Sequence, residues 1–259
     1  MDPRVTLLKE FSSGFIGDRA KIEAEEFGFA YLERLLSDGA TLEYGHLADT
    51  RVLHKYKIVD ITDDRMNELL HMHVMKECNV CRYFGAEKND VLCFNVDGNH
   101  KASDPANIRE LSLALNALRD CLLSLRCEPF VVASGRGYHV WVRLDEPVEN
   151  KLLYNFMVGA AARALLPLLI GGKDHRTIRF RFYPDINGND ALSLRLFGSE
   201  HANNKVFSRV FTPDGLLGEA DSWKYFEEFV RNKTTCTATF RSALAELARG
   251  IPAVSRAST

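Results

Sequence analysis

The stretch that most constrains this chain is Pro129-Phe-Val-Val-Ala-Ser134-Gly-Arg-Gly137-Tyr-His139-Val-Trp141-Val-Arg-Leu144, two runs of β-forming residues around a glycine-rich tip. Branched and aromatic side chains favour a pleated surface, and the glycines allow the backbone to reverse between them, so a hairpin with strands at 129–133 and 138–144 is predicted. Upstream, Asp90-Val-Leu-Cys-Phe-Asn95-Val-Asp97 is a third apolar run, closed by Gly98-Asn99, and reads as a buried strand entering a turn. Ser103-Asp104-Pro105 opens an amphipathic helix between the two, its stripe made by Ile108, Leu111, Leu113, Leu115, Leu118, Leu122 and Leu123.

The rest of the chain alternates in the same way. Helical periodicity appears over Ala20–Asp38, from Thr62 to about Met75, and over 151–166, 220–230 and 241–249. Strand signals fall at 177–183, 192–196 and 205–211. This order implies an α+β fold with a mixed sheet. A chain of 259 residues can bury a core without staples, and 33 Lys and Arg against 35 Asp and Glu leave no global basic field, so any nucleic-acid partner must be met by a local patch. The longest apolar run, Ala164–Ile170, is far short of a membrane span, and the N-terminus has no signal-peptide core. No membrane association and a cytoplasmic location are therefore expected. Six scattered cysteines suit a reducing compartment, with Cys93, Cys121 and Cys127 in apolar contexts as core filler.

Asn95 and Asp97 lie two apart on a strand and so share a face. Two carboxylates there would hold divalent cations for phosphoryl transfer. Here the first is an amide, and the plain alternative is a polar strand end facing a turn. In Ser134-Gly135-Arg136-Gly137, turn amides with Ser134, Arg136 and His139 as further donors make a triphosphate cradle, or else an ornate hairpin. Downstream, Asp185 is a candidate third carboxylate, with Asp174 its rival. It leads into Leu194-Arg195-Leu-Phe-Gly198-Ser199-Glu-His201, where Arg195 could offset phosphate charge. His71-x-His73-x4-Cys78-x2-Cys81 has zinc-ligand spacing, against two helix-face histidines beside free thiols. Lys173, His175, Arg176, Arg179 and Arg181 form one basic stretch and Arg51, Lys55 and Lys57 another; each is a nucleic-acid patch or a solvated face.

Over about Val91–His201 these blocks resemble the archaeo-eukaryotic primase superfamily, which includes small catalytic primase subunits and primase-polymerases. SGRGYHVWV is the closest match and LRLFGSEH the next. The resemblance implies a primase-like core: an N-terminal helical and mixed unit over 1–88 with a possible zinc knuckle, packed on an RRM-like mixed-sheet unit over 89–250. The active site would lie in the cleft between them, with a loose tail at 251–259. It implies template-directed nucleotidyl transfer with Mg²⁺ or Mn²⁺ held at Asn95, Asp97 and Asp185. Nucleotide contacts would come from Ser134, Gly135, Arg136, Gly137, His139, Arg195, Ser199 and His201, and nucleic-acid contacts from Arg176, Arg179 and Arg181. The implied partners are nucleoside triphosphates, single-stranded DNA template and primer, and a larger primase subunit or helicase, in the cytoplasm, nucleoid or nucleus. Asn95 departs from the pattern, where the family carries aspartate. It marks a deliberate replacement, a natural weakening, or a degenerate module that binds nucleotide or single-stranded nucleic acid without turnover. A zinc-dependent hydrolase centred on His71, His73, Cys78 and Cys81 is the remaining alternative.

Overall fold

The computed structural model describes residues 2–11, 30–36, 47–48, 51–58, 63–76, 78–84, 87–97, 105–135, 137–170, 178–186, 193–200 and 206–250. Its helices are α1 (Pro3–Phe11), α2 (Asp63–Val74), α3 (Pro105–Ser124), α4 (Asn150–Ile170), α5 (Glu219–Asn232) and α6 (Thr237–Gly250). Its strands are β1 (Ala30–Leu36), β2 (Leu47–Ala48), β3 (Arg51–Ile58), β4 (Cys78–Tyr83), β5 (Lys88–Asp97), β6 (Phe130–Ala133), β7 (Gly137–Glu149), β8 (Arg179–Tyr183), β9 (Ser193–Arg195), β10 (Arg209–Thr212) and β11 (Gly215–Leu216).

The strands build two sheets, β2-β3-β1-β4-β9 and β11-β10-β6-β7-β5-β8. The α+β class holds, and within it the described strand ladders are antiparallel rather than mixed. The sheets are not segregated along the chain, because β9 crosses back to pair with β4.

The second sheet is buried on both sides because its strands are apolar at nearly every position. Leu92, Phe94, Val96, Val140 and Val142 face α3, α4 and α6 in one core. Val91, Cys93, Phe130, Val132, Trp141 and Tyr183 face α1, α2, β4 and α5 in the other. Trp141, the tryptophan of the hairpin motif, meets Phe11 edge-on at 5.6 Å and stacks near Phe84 at 6.4 Å, which fixes α1 on the sheet. Cys93, Cys121 and Cys127 are buried, and burial pushes the Cys127 thiol up to about 12.

Three expectations are corrected. The described part of the predicted Ala20–Asp38 helix, residues 30–36, is strand β1, hydrogen-bonded to β3 on one side and β4 on the other. That non-local pairing overrides a periodicity that fits a helix locally. Cys78 and Cys81 lie within strand β4 instead of a knuckle turn. Leu113 and Leu123, placed in the buried stripe of α3, are 43% and 45% exposed, since they sit off the line through Leu111, Leu115, Leu118 and Leu122. The tail 251–259 lies outside the described residues.

Candidate functional site

On β5, Asn95 is paired with His139 of β7 and Arg181 of β8, and Asp97 with Gly137 and Arg179. Directly opposed residues of antiparallel strands share a face, so these six positions form one patch. One step deeper on that face, Cys93, Trp141 and Tyr183 are buried in the first core. The patch is thus the polar end of an apolar face.

Asn95 and His139 are 8% and 5% exposed. The Asn95 Nδ2 donates to Asp97 Oδ2 at 3.3 Å, while Asn95 Oδ1 is buried without a hydrogen-bond partner. Asp97 lies directly over Gly137: a Cβ there would sit 2.1 Å from the Val96 carbonyl and 2.9 Å from Asp97 Oδ1. Gly137→Ala therefore has to part β5 from β7 at the site, an overpacking cost of about 1–3 kcal/mol that thermal unfolding will read as a lowered Tm.

At the hairpin tip, Ser134 N–H donates to the Gly137 carbonyl at 2.8 Å, and Gly135 takes φ 102°, a left-handed conformation that favours glycine. Arg195 reaches the tip from the other sheet. Its strand β9 pairs with β4 through Cys81, and its guanidinium donates to the Ser134 carbonyl at 3.5 Å and the Glu200 carbonyl at 3.4 Å. The turn after β9 is pinned in place. Asn79 of β4 exchanges two hydrogen bonds with the Glu200 backbone, at 2.7 and 3.0 Å, and buried Ser199 accepts from Ser208 N–H through its carbonyl at 2.9 Å.

His73 holds the same turn from α2. Val80 N–H donates to its Nδ1 at 2.9 Å, so its Nε2 carries the proton and donates to the Phe197 carbonyl at 2.9 Å. Desolvation lowers its pKa to about 4 despite the opposing Phe197 bond, with the Arg195 charge adding to the fall. With both ring nitrogens engaged, His73 has no lone pair for zinc, and His71 is exposed on the helix. Of the expected His71, His73, Cys78, Cys81 zinc set, His73 is a structural tie.

The predicted residues Ser134 and Arg195 are brought together, as are Asn95, Asp97, Gly137 and His139. Asp185 lies two residues past Tyr183, which pairs with Cys93, and so falls outside the ladder that sets β8 against β5. Arginines occupy the positions opposite Asn95 and Asp97 instead. Arg136, Lys173, Asp174, His175, Arg176, Asp190 and His201 lie outside the described residues, while Arg51, Lys55 and Lys57 lie in β3. Sequence reasoning missed Tyr183, buried on the same face two residues beyond Arg181, where burial pushes its hydroxyl up to about 12. The alternation Arg179, Arg181, Tyr183 was the signal that could have found it.

The six paired positions by themselves do not supply the ligands for a pair of divalent cations. Among the described residues of this patch the single carboxylate is Asp97, its amide neighbour already donates to it, and two guanidinium-bearing residues flank them. Among the described residues, no group of three or more His, Cys, Asp or Glu is arranged to hold a metal ion.

No family model matches the chain, and no curated protein matches it. Among solved structures, the chain is similar to the polymerase domain from Mycobacterium tuberculosis ligase D in complex with DNA, at a TM-score of 0.40 and 15% identity, covering 93% of this chain and 89% of that one. Among the described residues no helix is long and apolar enough to cross a membrane.

Proposed function

We propose that this chain is a nucleotide-binding module of the primase-polymerase type, holding the phosphates of a nucleoside triphosphate between the hairpin tip and the Asn95–Asp97 strand end. The observation that carries this reading is the reach of Arg195 from one sheet to the Ser134 carbonyl of the other, which sets a cation beside the glycine tip of the hairpin that carries His139. Ser134, Arg195 and His139 supply donors for phosphate oxygens. The backbone of Gly135 and Gly137 lets an anion approach closely. A lone carboxylate partnered by an amide favours binding over transfer, because in-line phosphoryl displacement draws on a denser set of charged ligands.

A nucleotidyl transferase weakened at Asn95 is the competing reading, favoured by the orphaned Asn95 Oδ1 beside Asp97. The two separate in one experiment. Calorimetric titration with a nonhydrolysable nucleoside triphosphate is expected to show binding, and primer synthesis on single-stranded DNA with Mn²⁺ is expected to fail for both the unaltered chain and Asn95→Asp. Product from either protein overturns the binding-module reading.

A further inference from the structure

β8 is the edge strand of the second sheet and sets Arg179 opposite Asp97 and Arg181 opposite Asn95. Both arginines are exposed. They alternate with Phe180 and Phe182, which pack into the second core, Phe182 meeting Phe94 edge-on at 5.9 Å. This alternation fixes the side on which the arginines project. A one-residue slip of β8 would drive both guanidiniums into the aromatic layer and both rings into water.

Adjacent strands lie about 4.8 Å apart, so the backbone of Arg179 stands one strand's width from that of Asp97, and the backbone of Arg181 the same distance from that of Asn95. At the six paired positions, two guanidiniums stand against the one carboxylate of Asp97, a surplus of positive charge. A second carboxylate at position 95 would cancel that surplus, and an amide keeps it. The field favours phosphate and opposes a divalent cation. Guanidinium forks also match phosphate geometry in a way that gives directed, charge-assisted hydrogen bonds.

We propose that Arg179 and Arg181 bind nucleotide phosphates directly, so that this site takes its ligand without a divalent cation. The proposal rests on the nucleotide-binding reading above and gives that site a cation of its own in place of a metal.

Calorimetry on the full chain tests it, using a nonhydrolysable nucleoside triphosphate and, separately, a single-stranded oligonucleotide, each with Mg²⁺ and with excess EDTA. Triphosphate is expected to bind in EDTA at least as tightly as with Mg²⁺, which partly neutralises its phosphates. Arg181→Gln is expected to weaken it about tenfold, the loss of one charge-assisted contact, with Arg181→Lys recovering part of the loss. Thermal unfolding of each variant should match the parent, since both side chains are exposed. Oligonucleotide binding in EDTA that falls with Arg181→Gln also supports the anion site and identifies polynucleotide phosphate as its ligand. Binding seen only with Mg²⁺ overturns the proposal and leaves the nucleotide-binding reading standing. Binding in EDTA that neither Arg179→Gln nor Arg181→Gln weakens also overturns it. No binding of either probe in either buffer overturns both.

Discussion

Asp90→Ala is expected to remove about 3–5 kcal/mol from the unfolding free energy, the largest effect of any single substitution considered for this chain. Asp90 is 6% exposed and pairs with Arg82, which is 1% exposed. Arg82 also donates to the Phe11 carbonyl at 3.3 Å and lies 5.6 Å from the Phe84 ring centre. The pair therefore ties β4 of the first sheet, β5 of the second and the end of α1 together. A register shift between Asn89 and Val91 in the β5–β7 ladder accompanies Asp90. Truncating Asp90 strands a guanidinium in a dry interior, and the cost is that uncompensated charge more than the lost attraction. The double substitution Arg82→Met with Asp90→Leu removes both charges and should recover most of the loss. Urea unfolding of the three proteins decides it. A loss below about 1 kcal/mol for Asp90→Ala would show that water or another anion reaches Arg82.

The second large effect is a pH dependence centred on His73. Its folded pKa, about 4, lies below the ordinary histidine value of about 6.5, so the unfolded chain takes up the proton first as pH falls. Stability contributed by the neutral ring is complete above about pH 6.5. It is lost progressively down to about pH 4, below which this group adds no further slope. A shift of this size corresponds to about 3 kcal/mol. Urea unfolding at a series of pH values should show the decline. In His73→Gln, which can still accept from Val80 and donate to Phe197, the decline over that window should flatten while neutral-pH stability stays near the parent. An equal slope in both proteins would assign the pH dependence to other groups. The result bears on the site, because His73 holds the turn that follows Arg195. Acid that charges the ring should loosen that turn and weaken triphosphate binding over the same interval.

Much of the sheet that carries the site was legible from local pattern. The hairpin at 130–149, strand β5, and helices α2 to α5 follow from β-forming runs, glycine punctuation and helical stripes, all of which act over a few residues. Asn95, Asp97, Gly137 and His139 fall together because one hairpin and one neighbouring strand place them, and alternation fixes their face. Helix α1 also carries a local signal. Asp2 caps the helix by accepting from Arg4 N–H at 2.9 Å, and Pro3 occupies its first turn. By contrast, β1 read as a helix because its partners lie tens of residues away. His73 read as a metal ligand because spacing says nothing of which backbone groups will meet its two nitrogens.

The sequence alone determined the polar row on β5, the glycine tip that lets β7 approach it, and the α+β class. Each of these depends on side-chain alternation and backbone freedom within a short segment. Only the tertiary structure decided what stands opposite that row. Strand order and register put Arg179 opposite Asp97 and Arg181 opposite Asn95, and a return strand brought Arg195 to Ser134 from the other sheet. Pairings between distant segments are set by the burial they achieve together, and that quantity belongs to the folded molecule and to no window of its sequence.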